Sequence, residues 1–248
     1  MFNQGKLLSV NYRKVVMEDN NVTPLHEDAI DEKVAPEENI TATRSSLQLP
    51  RRMVHMSMGL IAAGVYHFFL THERAIYILG ICASLIYIIE QFRTSYPEYM
   101  AKFDIIFKHI FRAEEQLKES AGVPYIMALL LTILTFPKPI ALCAILTLAV
   151  SDPLSAIIGI KYGRHKWAAG KSIEGSAAFF ISSFVISLSV LLHFTEVYWG
   201  WVLLLSLSSS LIISAFELIP LRVDDNLTIP LFTAFTLWIL GASIGITF

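Results

Sequence analysis

The chain has 248 residues, of which 54% are hydrophobic, with a mean hydropathy of +0.57 and a net charge of −2. So apolar a composition excludes an ordinary soluble domain and points to an all-α, polytopic membrane protein. The near-neutral charge carries no basic signature for nucleic acid, and Cys82 and Cys143 both lie in apolar runs, where they read as packing residues rather than a disulfide or metal pair.

Residues 1–49 hold eight acidic side chains and no sustained apolar period. That composition predicts a disordered cytosolic tail ahead of a membrane domain over residues 50–248. No secretory signal is expected, because the first long apolar run starts only near Val54. Arg51, Arg52 and His55 open that run, which extends to about residue 71. A second run covers residues 75–89 and ends at Glu90 and Arg93. Residues 94–122 are mixed. Met100, Phe103, Phe107, Ile110 and Phe111 share one helical face there, as in a helix lying in the interface plane or a short connecting helix.

The third run, residues 123–136, is short for a bilayer, which asks for about 20 residues. Pro137-Lys138-Pro139 turns the chain into a fourth run over residues 140–162, which contains Asp152-Pro153. A fifth covers residues 175–194. A sixth covers residues 199–219, with Glu217 near its end, and Pro220 stops it. The loop with Asp224-Asp225-Asn226 leads into the seventh, residues 227–248.

Seven spans put the termini on opposite sides. Seventeen of the 19 lysines and arginines then fall on one side, leaving Arg74 and Lys138 on the other. The positive-inside rule makes the populated side cytoplasmic, with the N-terminus there. A bacterial inner membrane and the endoplasmic reticulum obey the same rule.

This topology gathers the unusual polar residues on the cytosolic face: Arg51, Arg52, His55, Arg112, Glu115, Asp152, residues 171–176 and residues 224–226. Asp152 is the sharpest of them. A carboxylate inside an apolar run costs about 2.5–3.5 kcal/mol on insertion scales, and Pro153 breaks the backbone ladder beside it. Its alternative role is pairing with Lys or Arg to stitch helices. Lys171-Ser172-x-Glu174-Gly175-Ser176 offers a cation, hydroxyls and backbone N–H groups at a helix start, which suits phosphate. Asp224-Asp225-Asn226 offers hard oxygen ligands for Mg²⁺, or equally a turn before a helix. His55 reads as a packing residue or a catalyst, and His67 and His193 as interfacial side chains. Gly170-Lys171-Ser172 is not the end of a Walker A loop, since position 165 is His and no strand precedes it.

Pro50-Arg51-Arg52-x-x-His55-x-x-x-Gly59, Arg112-x-x-Glu115, Ser151-Asp152-Pro153 with Gly159 and Tyr162-Gly163, Lys171-Ser172-x-Glu174-Gly175-Ser176, and Asp224-Asp225-Asn226-Leu227-Thr228-x-Pro230 occur in that order. In this combination the chain from Pro50 onward resembles the polyprenol kinase family: dolichol kinases, phytol kinases and the CTP-dependent diacylglycerol kinases of fungi. It is similar, more distantly, to phosphatidate cytidylyltransferases. The resemblance implies transfer of the γ-phosphoryl group of CTP to the hydroxyl of a membrane lipid alcohol, with Mg²⁺, giving lipid phosphate and CDP. On that basis Asp152 with Asp224 or Asp225 would hold the metal. Lys171, Ser172, Gly175 and Ser176 would cradle the phosphates, with Arg51 or Arg52 adding a contact. Asn226, Arg112 and Glu115 would complete the nucleotide site. Glu174 would orient Lys171 or act as a second metal ligand. A carboxylate or His55 would take the hydroxyl proton. Phosphatidate cytidylyl transfer is the alternative within this chemistry. An ion-coupled transporter, with Asp152, Glu90 and Glu217 as relay carboxylates, is the alternative outside it.

Overall fold

The computed structural model describes residues 49–96, 122–166, 171–219, 223–246 and 248, without the side chains of Pro50 and Arg51. The tail, the amphipathic stretch over 97–121, and with it Arg112 and Glu115, lie outside the described residues. Seven helical segments occupy the seven apolar runs: α1 Leu49–Phe68, α2 His72–Ser95, α3 Gly122–Thr135, α4 Lys138–Tyr162, α5 Ile173–Phe194, α6 Trp199–Glu217 and α7 Asp225–Ser243. By length and composition α2, α4, α5, α6 and α7 are long and apolar enough to cross a membrane. The 14-residue α3 is shorter, about 21 Å at 1.5 Å per residue. The α1 helix, with two arginines and His55 in its first two turns, also falls outside that set.

The helix ends follow local chemistry. Thr71 caps α2 by accepting from the Arg74 N–H at 3.3 Å. That helix runs to Ser95, beyond the apolar stretch, because Glu90 and Arg93 pair side by side, with Arg93 Nε donating to Glu90 Oε2 at 3.0 Å. At the C-terminal end of α7, Gly245 takes φ 75°, Gly245 N–H reaches the Ala242 carbonyl, and Ile246 N–H reaches that of Gly241 at 2.9 Å. This double closure needs a left-handed residue and explains the glycine. The first turn of α4 does a second service: Lys138 Nζ donates to the carbonyls of His67, in the last turn of α1, and of Leu70, just past it, and lies 5.1 Å over the Tyr66 ring.

α4 is the central helix. In its apolar window 67% of residues are buried, against 17–39% in the other long helices. Its residues 140–145 are all buried and serve two cores. Ile140, Cys143 and Ala144 pack with Leu191, Val202, Leu205 and Leu237, while Ala141, Leu142 and Ile145 pack with Ala63, Leu129 and Ile133. The outer faces stay apolar and exposed, as at Ile81, Leu85 and Leu211, which suits lipid contact. Tyr198, Trp199 and Trp201, also exposed, cluster at the start of α6 in the manner of an interfacial aromatic belt.

Glycines let α4 and α5 touch backbone to backbone. A Cβ on Gly175 would lie 2.8 Å from the Ser155 carbonyl oxygen and 3.2 Å from the Gly159 Cα. One on Gly159 would meet Ser172 Oγ at 2.9 Å. Small residues at a crossing are how membrane helices gain close contact. Gly64 on α1 differs, since a Cβ there meets nothing within 4 Å. Opposite outcomes are expected from thermal melting in detergent. Gly175→Val lowers the melting temperature, at about 1–3 kcal/mol for overpacking. Gly64→Ala raises it slightly, by up to about 1 kcal/mol of helix propensity. A neutral Gly175→Val would refute the close packing.

Candidate functional site

The site forms where α4 departs from α-helical geometry. Residues Thr147–Ser151 make a π-helical turn, and the Asp152 N–H bonds to the Thr147 carbonyl, five residues back. Pro153, next in line, has no N–H to give, so the widened turn accommodates it. The turn packs against α1, α5 and α7, and Thr147, Leu148, Ala149 and Ser151 within it are buried. On α1, Gly59 makes this possible, for its Cβ would collide with that of Ala149.

Asp152 therefore issues from the middle of the bundle. Four charged side chains act on it electrostatically: Asp225, Glu217, Arg52 and Lys171. They come from the starts of α1 and α7, the end of α6 and the segment leading into α5. Three helix ends and one loop thus bring two cations and two carboxylates around a third carboxylate.

Lys171 is held in place. Its Nζ donates to Glu217 Oε1 at 2.7 Å and to the Glu217 backbone carbonyl. The side chains are 27% and 9% exposed, so the pair is partly shielded from water. Ser176 Oγ reaches the other carboxylate oxygen of Glu217 at 3.5 Å. Sequence reasoning gave Glu217 no part in this arrangement except as a relay carboxylate in the transporter alternative. Its one signal was a carboxylate within an otherwise apolar run.

Several candidates are placed differently from the sequence expectation. Glu174 does not orient Lys171. It turns to the preceding loop, where its Oε1 lies 2.8 Å from His165 Nδ1 and 3.3 Å from the His165 N–H donor. Glu217 takes the orienting role because α6 ends beside Lys171. The hydroxyl of Ser172 is buried and caps α5 by accepting from the Gly175 N–H at 3.1 Å. Gly175 itself presses against Ser155 and Gly159, so it serves helix packing. Asp224 caps α7, accepting from the Asn226 N–H at 2.8 Å, whereas Asp225 is the one of the pair that acts on Asp152. His55, one turn along α1 from Arg52, stands edge-on to Tyr125 at 4.9 Å between ring centroids.

Among the described residues no group of three or more His, Cys, Asp or Glu side chains is arranged to hold a metal alone. Magnesium asks for less, being bound through one or two carboxylates together with phosphate oxygens and water. Asp152 and Asp225 are hard oxygen donors that could share such an ion, and Lys171 and Arg52 are cations of the type that could bind phosphate beside it.

Three similar proteins frame this geometry. An uncharacterized protein of Rickettsia prowazekii is 30% identical over 189 residues, covering 73% of this chain and 88% of that protein. The CTP-dependent diacylglycerol kinase 1 of Saccharomyces cerevisiae is 27% identical over 206 residues, 75% of this chain and 71% of the yeast protein. The chloroplastic phytol kinase 1 of Arabidopsis thaliana is 30% identical over 133 residues, 49% of this chain and 43% of its own length, so the match spans less than half of that relative. No protein-family profile matches the chain, and no solved structure matches it.

The tether on Lys171 is testable by chemistry alone. In Glu217→Gln the carboxylate that fixes Nζ is gone, so Lys171 should be acylated several-fold faster by a soluble amine-reactive ester, read by mass spectrometry in detergent. An unchanged rate at Lys171, with other lysines as internal controls, would mean that another group holds it.

Proposed function

We propose, for a chain that belongs to the polyprenol kinase family, that it transfers the γ-phosphoryl group of CTP to the hydroxyl of a membrane lipid alcohol and releases CDP. The observation that carries this reading is that Asp225, Arg52 and Lys171 all act on Asp152, a carboxylate within a helix long and apolar enough to span a bilayer. A transporter would need its charged groups strung along a path, and here Arg52, Asp225 and Glu217 from helix ends and Lys171 from the approach to α5 act on the one carboxylate within a span, Asp152.

Phosphoryl transfer is mostly positioning and charge stabilisation. Lys171, held by Glu217, meets the triphosphate as a fixed point charge, and Arg52 adds a planar guanidinium suited to two phosphate oxygens. Asp152 and Asp225 would hold Mg²⁺, which supplies neutralisation of charge on the phosphates when bound. The lipid hydroxyl oxygen attacks the γ-phosphorus and its proton passes to a carboxylate of the site. The bond between the γ-phosphorus and the β–γ bridging oxygen breaks, and CDP leaves. The alcohol is a lipid such as diacylglycerol, phytol or a polyprenol. The charge bias of the loops supports a cytoplasmic location for this end of the bundle.

The test uses purified protein in mixed micelles with γ-labelled CTP and Mg²⁺, offered separately diacylglycerol, phytol and a long polyprenol. Label should enter one lipid. Asp152→Asn should reduce that incorporation on the order of 10²–10³-fold, as expected for losing a group that stabilises the reacting phosphates, with the melting temperature retained. Normal turnover in Asp152→Asn would refute the assignment. Pyrophosphate release upon adding phosphatidate, with no labelled lipid, would assign cytidylyl transfer instead.

A further inference from the structure

The described residues include an apolar pocket that the phosphate chemistry does not use. A cavity of ≈ 360 Å³ lies between α1, α4 and α5, with Leu60, Gly64, Leu142, Leu146, Val190 and Phe194 among its walls. Its size falls within the range of small-molecule sites, about 300–1,000 Å³. Its lining is almost wholly apolar and it opens to the surface of the bundle, so in a bilayer it meets hydrocarbon.

Its position relates it to the site. The inner end is at Leu146, the residue before the π-helical turn, and at Leu60, next to the Gly59 that presses on Ala149. Along α4 that end is six residues from Asp152, and along α1 eight residues from Arg52, or about 9 and 12 Å at 1.5 Å per residue. At the outer end lie His67 and His193, whose rings stand 5.4 Å apart beside Phe194. The cavity thus begins just above the charged cluster and runs along the same helices away from it.

We infer that this cavity binds the hydrocarbon tail of the substrate lipid, with the hydroxyl end directed towards Asp152; the inference rests on the lipid-kinase reading for the identity of the headgroup only. A tail here lies between helices on one line with the reacting end, so binding energy from the chain positions a hydroxyl that has few polar contacts of its own. The pocket is open to the surface, so a longer tail leaves sideways into the bilayer past exposed Leu60 and Phe68.

Gly64 provides the test, because a side chain placed there meets open space and fills the cavity without straining the helix. The full chain in nanodiscs is photolabelled with a fatty alcohol bearing a diazirine near its methyl end. Label should concentrate in residues 60–68 and 189–194 and fall several-fold in Gly64→Phe but not in Gly64→Ala. In the micelle assay Gly64→Phe should raise KM for the lipid alcohol roughly tenfold, the effect of losing contact with about two methylenes, with KM for CTP unchanged. Label spread evenly over the exposed faces of α2 and α6, or indifferent to Gly64→Phe, overturns the tail site. Focused and Gly64-dependent label in a protein that phosphorylates no lipid leaves the tail site standing and removes the kinase.

Discussion

A carboxylate on the most buried helix of a membrane bundle is the constraint on which this structure turns. On insertion scales such a charge costs about 2.5–3.5 kcal/mol. Arg52 and Lys171, from two other parts of the chain, offset part of that cost electrostatically. Asp225 and Glu217 act on it with like charge, and Arg52 and Lys171 with opposite charge. Lys171 is further neutralised by Glu217 at 2.7 Å. The cluster comes together only when α1, α4, α6, α7 and the approach to α5 are all in place, so the site and the fold are one electrostatic problem.

Close backbone approach solves the geometric half of that problem. Ordinary side chains at 159 and 175 would push α5 away from α4, and Lys171, four residues before Gly175, would move with it. Gly59 does the same for α1 and Arg52. The π-helical turn supplies the remaining adjustment. Its extra residue per turn advances Asp152 around the helix and removes the conflict with Pro153. Small residues and one irregular turn therefore aim large charged ones.

Much of the fold was legible because apolar runs here end in turn and charged residues, and the seven helices lie in the seven runs. Asp152 was legible for the same reason: a charge in an apolar run announces itself. What could not be read was pairing across long separations. Glu217 lies 46 residues from Lys171, and nothing local distinguishes it from any carboxylate at a helix end. Adjacent candidates were also beyond reach. Asp224 and Asp225 are chemically equal, and only the turn into α7 makes one a cap and turns the other towards Asp152. Ser172 and Gly175 carried the opposite ambiguity. A serine and a glycine at a helix start look the same whether they bind phosphate or close the helix on its neighbour.

Lys138 has a consequence for how the chain is made. Its ammonium closes the carbonyls of His67 and Leu70, 71 and 68 residues earlier in sequence. During synthesis the α1–α2 hairpin must emerge and enter the bilayer with those carbonyls served by water alone. It becomes a finished element only when the start of α4 arrives. The first two helices are thus held open to late partners, and the central helix, arriving fourth, both locks the beginning of the chain and offers the surface on which the last three helices assemble.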